Sequence, residues 1–135
     1  MIEANRYIEI VKEYFHYLET EFGFKCFKEK IKGNAFYNIE FRDETRIVSI
    51  SYENIEDYFQ VIIYKLYNGE LPDFDDRRST LHLKSLLESV FSNITKAEID
   101  ANNKHFENYR AKDSIERKIL KSAKELRLCL LYSKG

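Results

Sequence analysis

The stretch AFYNIEFRDETRIVSISYENIEDYFQVIIYKLY, Ala35 to Tyr67, alternates aromatic and β-branched residues through three runs separated by short polar turns. In the first run Ala35, Tyr37, Ile39 and Phe41 share one face and Phe36, Asn38, Glu40 and Arg42 the other, since successive strand side chains point to opposite sides. Asp43-Glu44-Thr45 makes a reversal, after which Val48, Ile50 and Tyr52 fall together. Asn54 to Asp57 reads as a polar turn before the most apolar run, Tyr58 to Tyr67. There Tyr58, Ile62, Tyr64 and Leu66 lie on one side and Phe59, Val61 and Ile63 on the other, a pattern that predicts a strand at least partly covered on both faces. The connections are too short for crossover helices, so sequential antiparallel pairing is the economical topology.

Upstream, Phe24 to Lys32 alternates loosely with lysine on its polar positions, which suits an edge strand protected against further pairing, and Lys32-Gly33-Asn34 is its turn. Ile8, Val11, Phe15, Leu18 and Phe22 recur at three- and four-residue steps, which predicts a helix over about residues 3 to 22, stopped by Gly23. Downstream, Glu70 to Ser79 reads as the longest loop and holds the only proline, Pro72. Thr80 is placed to cap a helix carrying Leu83, Leu86, Leu87, Val90 and Phe91. Thr95 with Glu98, and Asp113 with Glu116, offer capping boxes for two more, the last with a stripe of Ile115, Ile119, Ala123, Leu126 and Leu130. The expectation is a single α+β domain over residues 1 to 135: an N-terminal helix, a four-stranded antiparallel meander, then two or three C-terminal helices packed on the sheet. Ile119 and Leu126 are expected in its core.

The 135 residues, with 44% hydrophobic and 15% aromatic content, suffice for one well-filled core. Net charge is −1, but it is unevenly spread. From Glu53 to Asp76 seven acids face Lys65 alone, a net of −6, whereas Asn103 to Gly135 carries a net of +5. The N-terminus is too polar for a secretory leader and no run approaches the roughly 18 apolar residues of a membrane span, so a cytoplasmic protein without membrane contact is expected. Cys26 and Cys129 belong to no C-x-x-C unit and read as free buried thiols.

Gly23, Gly33, Gly69 and Gly135 stand apart, which excludes the clustered glycines of phosphate-cradling loops. His16, His82 and His105 are isolated, without metal-ligand spacing. A nucleophilic pairing of Cys26 with His16 rests on no local signal, since cysteine is often a small core hydrophobe. Asp73-Phe74-Asp75-Asp76-Arg77-Arg78 is the sharpest charged cluster, yet it has Arg78 and Lys84 where an EF-hand loop counted from Asp73 needs glycine and glutamate. The basic final helix raises nucleic acid, but the element order is not that of a β-α-β-β-α-β reader, and a solvated helix face is the plainer account. No catalytic residue, cofactor or metal is expected.

The segment Tyr14 to Phe24, followed by Tyr37-Asn38 and Ile50-Ser51-Tyr52-Glu53, resembles a pattern recurring in small bacterial proteins, some of which are considered immunity proteins against polymorphic toxins. The resemblance spans residues 14 to 67 and carries no catalytic residue across. It implies a single α+β domain that acts by binding a toxin. The expected function is therefore a non-catalytic, immunity-like protein-binding domain, with Glu70, Asp73, Asp75 and Asp76 and the sheet residues Phe59, Val61 and Ile63 contacting a basic partner. The alternative is a structural or regulatory homo-oligomer that buries a second sheet face across a two-fold axis. The third is an enzyme with a dispersed site.

Overall fold

The computed structural model describes residues 2–66 and 80–132. Its elements run α1 (Ala4–Tyr14), α2 (Tyr17–Thr20), β1 (Lys25–Lys32), β2 (Phe36–Arg42), β3 (Arg46–Glu53), β4 (Tyr58–Lys65), β5 (Thr80–His82), α3 (Leu83–Phe91), α4 (Lys96–His105) and α5 (Ser114–Tyr132). The α+β class is as expected. All neighbouring strands are antiparallel, in the order β1-β2-β3-β4-β5.

The alternation read from the meander sets the layers. Tyr37, Ile39 and Phe41 of β2, Val48, Ile50 and Tyr52 of β3, and Val61 and Ile63 of β4 all face the helices and form one core with them. Ile119, Ala123 and Leu126 of α5 are fully buried in that core, as are Tyr7, Ile10 and Val11 of α1. The Tyr7 hydroxyl donates to the Ile50 carbonyl at 2.8 Å, and its ring lies 5.3 Å from Tyr37, so α1 is both packed and hydrogen-bonded onto the sheet. On β1, Lys28, Lys30 and Lys32 line one side after a register shift next to Phe27, and Lys12 pairs with Glu29. A second β1 aligned against this edge would set lysine against lysine, so the edge resists self-pairing.

Three expectations change. The sheet has a fifth strand, in which Thr80–His82 pairs with Ile62–Tyr64. Thr80 therefore belongs to a ladder and does not cap a helix, and the N-cap of α3 is His82, with no side-chain cap bond. Three residues are too few for a period to register, and the free edge of β4 supplies the reason for pairing. The first helix is divided, with Phe15 and His16 between α1 and α2. No glycine or proline causes the break; packing does. Tyr14 meets Tyr109 at 5.3 Å, while Tyr17 lies against Phe22 and Phe106 and donates to the Ala123 carbonyl at 2.8 Å.

The capping boxes diverge. At Thr95 and Glu98 both reciprocal bonds form. At α5 the Asp113 side chain accepts from the Glu116 amide at 2.9 Å, but the Glu116 carboxylate turns away. It accepts instead from the Lys112 amide at 3.1 Å and from Arg6 Nε and Nη2 at 3.3 and 3.1 Å. This 3%-exposed carboxylate thus ties α1 to the start of α5.

Candidate functional site

The connection between β3 and β4, residues 54 to 57, is held more tightly than a surface turn needs. Asn54, 7% exposed, accepts from the Ile2 amide at 3.2 Å. Its side-chain nitrogen lies 3.2 Å from the Ile2 carbonyl, 2.6 Å from the Asn34 carbonyl and 2.9 Å from the Tyr37 hydroxyl. The Tyr37 hydroxyl itself donates to the Ile2 carbonyl at 2.9 Å. One amide side chain so joins the N-terminus, the β1–β2 turn, β2 and the β3–β4 turn in a satisfied buried network.

Three residues on, Asp57 adopts φ of 50°, a left-handed conformation that aspartate tolerates better than most residues. Its carboxylate accepts from the Tyr52 hydroxyl and lies 3.5 Å from the Lys118 ammonium on α5. The Tyr52 hydrogen bond, with Lys118 behind it, holds the Asp57 carboxyl below its usual range. Burial, reinforced by Asp57, pushes the Tyr52 phenol up. The turn is pinned at both ends, from Asn54 and from Asp57.

What it presents is an apolar side chain among acids. Ile55 is 80% exposed and Tyr58 54%, with Glu56 and Asp57 exposed between them and Glu53 half-buried behind. A large aliphatic group in water on a rigid support is a pre-formed anchor, because little conformational freedom remains to be lost on binding. The Tyr58 hydroxyl donates to Gln60 Oε1 at 3.1 Å, which orients its ring along β4. The site offers recognition chemistry: an apolar contact flanked by carboxylates.

Of the sequence-derived candidates, Glu70, Asp73, Asp75 and Asp76 lie outside the described residues. Phe59, Val61 and Ile63 are on the helix-covered face, with Val61 and Ile63 each 3% exposed and Phe59 packed against the core. Within this domain they are interior contacts, so the contact surface proposed for them moves to the turn at the start of β4. The period-two pattern identified the face they share but not which face the helices take. The sequence places Asn54 and Ile55 in a polar turn and Tyr58 at the start of the strand after it. The signal that could have singled them out is one isoleucine inside an otherwise polar turn.

The nucleophile candidates do not converge on reactive chemistry. His16 is exposed, and burial raises the half-buried Cys26 thiol. Cys129 is fully buried, and its thiol is pushed up to about 12 by burial. His105 packs edge-on to Phe106, with burial and then the Arg127 charge lowering its pKa. Among the described residues no group of three or more metal-ligating side chains comes together, and no helix is long and apolar enough to cross a membrane. Comparison with protein-family models, with curated proteins and with solved structures found no match for this chain.

Proposed function

We propose that this chain is a non-catalytic protein-binding domain, an immunity-like inhibitor, that engages a basic partner through the β3–β4 turn. The observation that carries the reading is Ile55, 80% exposed on a turn fixed by Asn54 and Asp57. An apolar anchor held this way contributes affinity, and Glu53 and Glu56 beside it supply the charge that selects and steers a cationic surface. The same negative segment of the sequence also holds Glu70, Asp73, Asp75 and Asp76, which lie outside the described residues.

The test is affinity capture of the tagged protein from its native host, followed by titration of the recovered partner with purified wild type and Ile55→Asp. The side chain is exposed, so the substitution leaves folding intact. The reading expects a basic partner, a salt-sensitive association rate and a loss of affinity of about tenfold or more in Ile55→Asp. For an inhibitor, co-expression of wild type with the partner restores growth and Ile55→Asp does not. Equal affinity of both proteins for every recovered partner would remove the turn from the interface.

A further inference from the structure

A cavity of about 590 Å³ lies between the β4–β5 side of the sheet and helices α3 and α5, within the size range of small-molecule sites. Leu81, Leu86, Val90 and Leu130 form much of its wall. The three leucines are only partly buried although they pack against the core, so aliphatic surface stays accessible inside a concave site. At one end the wall is cationic. Arg46 and Lys65 are direct partners across β3 and β4 and both line the cavity. Like charges directly opposed across a strand pair weaken it, so the arrangement is a cost to the empty fold.

The two cations are not equally free. Arg46 gives Nε and Nη2 to Asp43 at 3.3 and 3.0 Å, and its guanidinium lies 4.9 Å from the centre of the Phe24 ring. Its Nη1 has no hydrogen bond among the described residues. Lys65 is exposed and has no ion pair among the described residues. Among the described residues, with Asp43 offsetting Arg46, the cationic end carries one positive charge that has no ion-pair partner. The Ser89 hydroxyl is already donated to the Leu86 carbonyl at 2.7 Å; Asn93 and Tyr132 add polar groups to the lining, and Lys65 and Arg46 are its cations.

We propose that this cavity binds an aliphatic monocarboxylate, its chain among Leu81, Leu86, Val90 and Leu130 and its carboxylate on Lys65 and Arg46 Nη1. A monoanion matches the single excess charge, and an unbranched chain matches the aliphatic lining. The site is separate from the β3–β4 turn and stands or falls without it.

Decanoate titrated into the full chain, followed through methyl resonances, tests this directly. The expected result is saturable shifts concentrated on Leu81, Leu86, Val90 and Leu130, with decyltrimethylammonium binding at least about tenfold more weakly. Lys65→Glu should weaken decanoate by a similar factor while raising the thermal midpoint, because glutamate then faces Arg46. Lys65→Gln, which removes the repulsion without adding an attraction, should weaken decanoate with a smaller rise in midpoint. Shifts that never saturate or spread over the whole surface would mean an adventitious amphiphile only. Equal binding of the cationic amphiphile, or undiminished decanoate affinity in both Lys65 variants, would equally overturn the proposal.

Discussion

Replacing Asn54 by alanine should destabilise the domain by about 1.5 to 4.5 kcal/mol, a large loss for an uncharged residue in a turn. The figure follows from what each partner of Asn54 does next. The Ile2 amide, in a residue 7% exposed, loses its acceptor and becomes a buried orphan, which costs about 1 to 3 kcal/mol. The Ile2 carbonyl keeps the Tyr37 hydroxyl, and the Asn34 carbonyl belongs to an exposed residue that water reaches, so those two sites lose little. The Tyr37 hydroxyl, in a residue 0% exposed, loses the donor it accepts from, a further net loss of about 0.5 to 1.5 kcal/mol. Urea unfolding monitored by circular dichroism gives the change as the midpoint shift at constant slope. A double-mutant cycle with Tyr37→Phe supplies the sharper check, because both variants cut the same network and should fall short of additivity by more than about 0.5 kcal/mol. Destabilisation below about 0.5 kcal/mol, or strict additivity, would show that Asn54 is an ordinary turn residue and would leave Ile55 without its rigid support. Faster amide exchange at Asn54, whose N–H donates to the Ala35 carbonyl at 2.9 Å, should accompany the loss.

Ile119→Ala and Leu126→Ala, each removing a side chain 0% exposed, should each cost about 2 to 5 kcal/mol in the same unfolding assay, and unchanged midpoints would take α5 out of the core. Glu21 accepts from Arg127 at 2.7 and 2.8 Å, and this hydrogen bond holds its carboxyl below the ordinary value, so its contribution is present above the unfolded-state pKa and lost as pH falls through the lower folded one. Glu21→Gln should therefore be less stable than wild type near neutral pH and approach it in acid; a difference that persists at low pH would assign the effect to packing. With its thiol at about 12 and no exposure, Cys129 should resist a disulfide reagent in the native state at mild alkaline pH and react only on unfolding, as read by mass spectrometry of the labelled chain. Chelation should leave the thermal midpoint unaltered, and a drop restored by one divalent ion would assign a structural metal to the chain.

The meander was legible because each residue of β2 reports its own face: Tyr37, Ile39 and Phe41 alternate with Asn38 and Glu40, and a one-residue slip would have reversed every one of them. The stripe Ile119, Ala123 and Leu126 and the Thr95–Glu98 box were equally local, since three- and four-residue spacings are complete within one turn of helix. Distance in the chain is what hid the rest. Asn54 bonds to Ile2 across 52 positions and Arg6 reaches Glu116 across 110, and no periodicity encodes a partner that far away. The break between α1 and α2 answers to Phe106, Tyr109 and Ala123, which only the folded chain brings to Tyr14 and Tyr17. Period two shows that Val61 and Ile63 share a side of β4, but the helices choose which side is interior, because hydrophobic burial rewards any face that a second layer covers. The exposed Ile55 follows from the same limit: its residue type is written in the chain, and its exposure was decided when Asn54 turned inward to Ile2 and Tyr37.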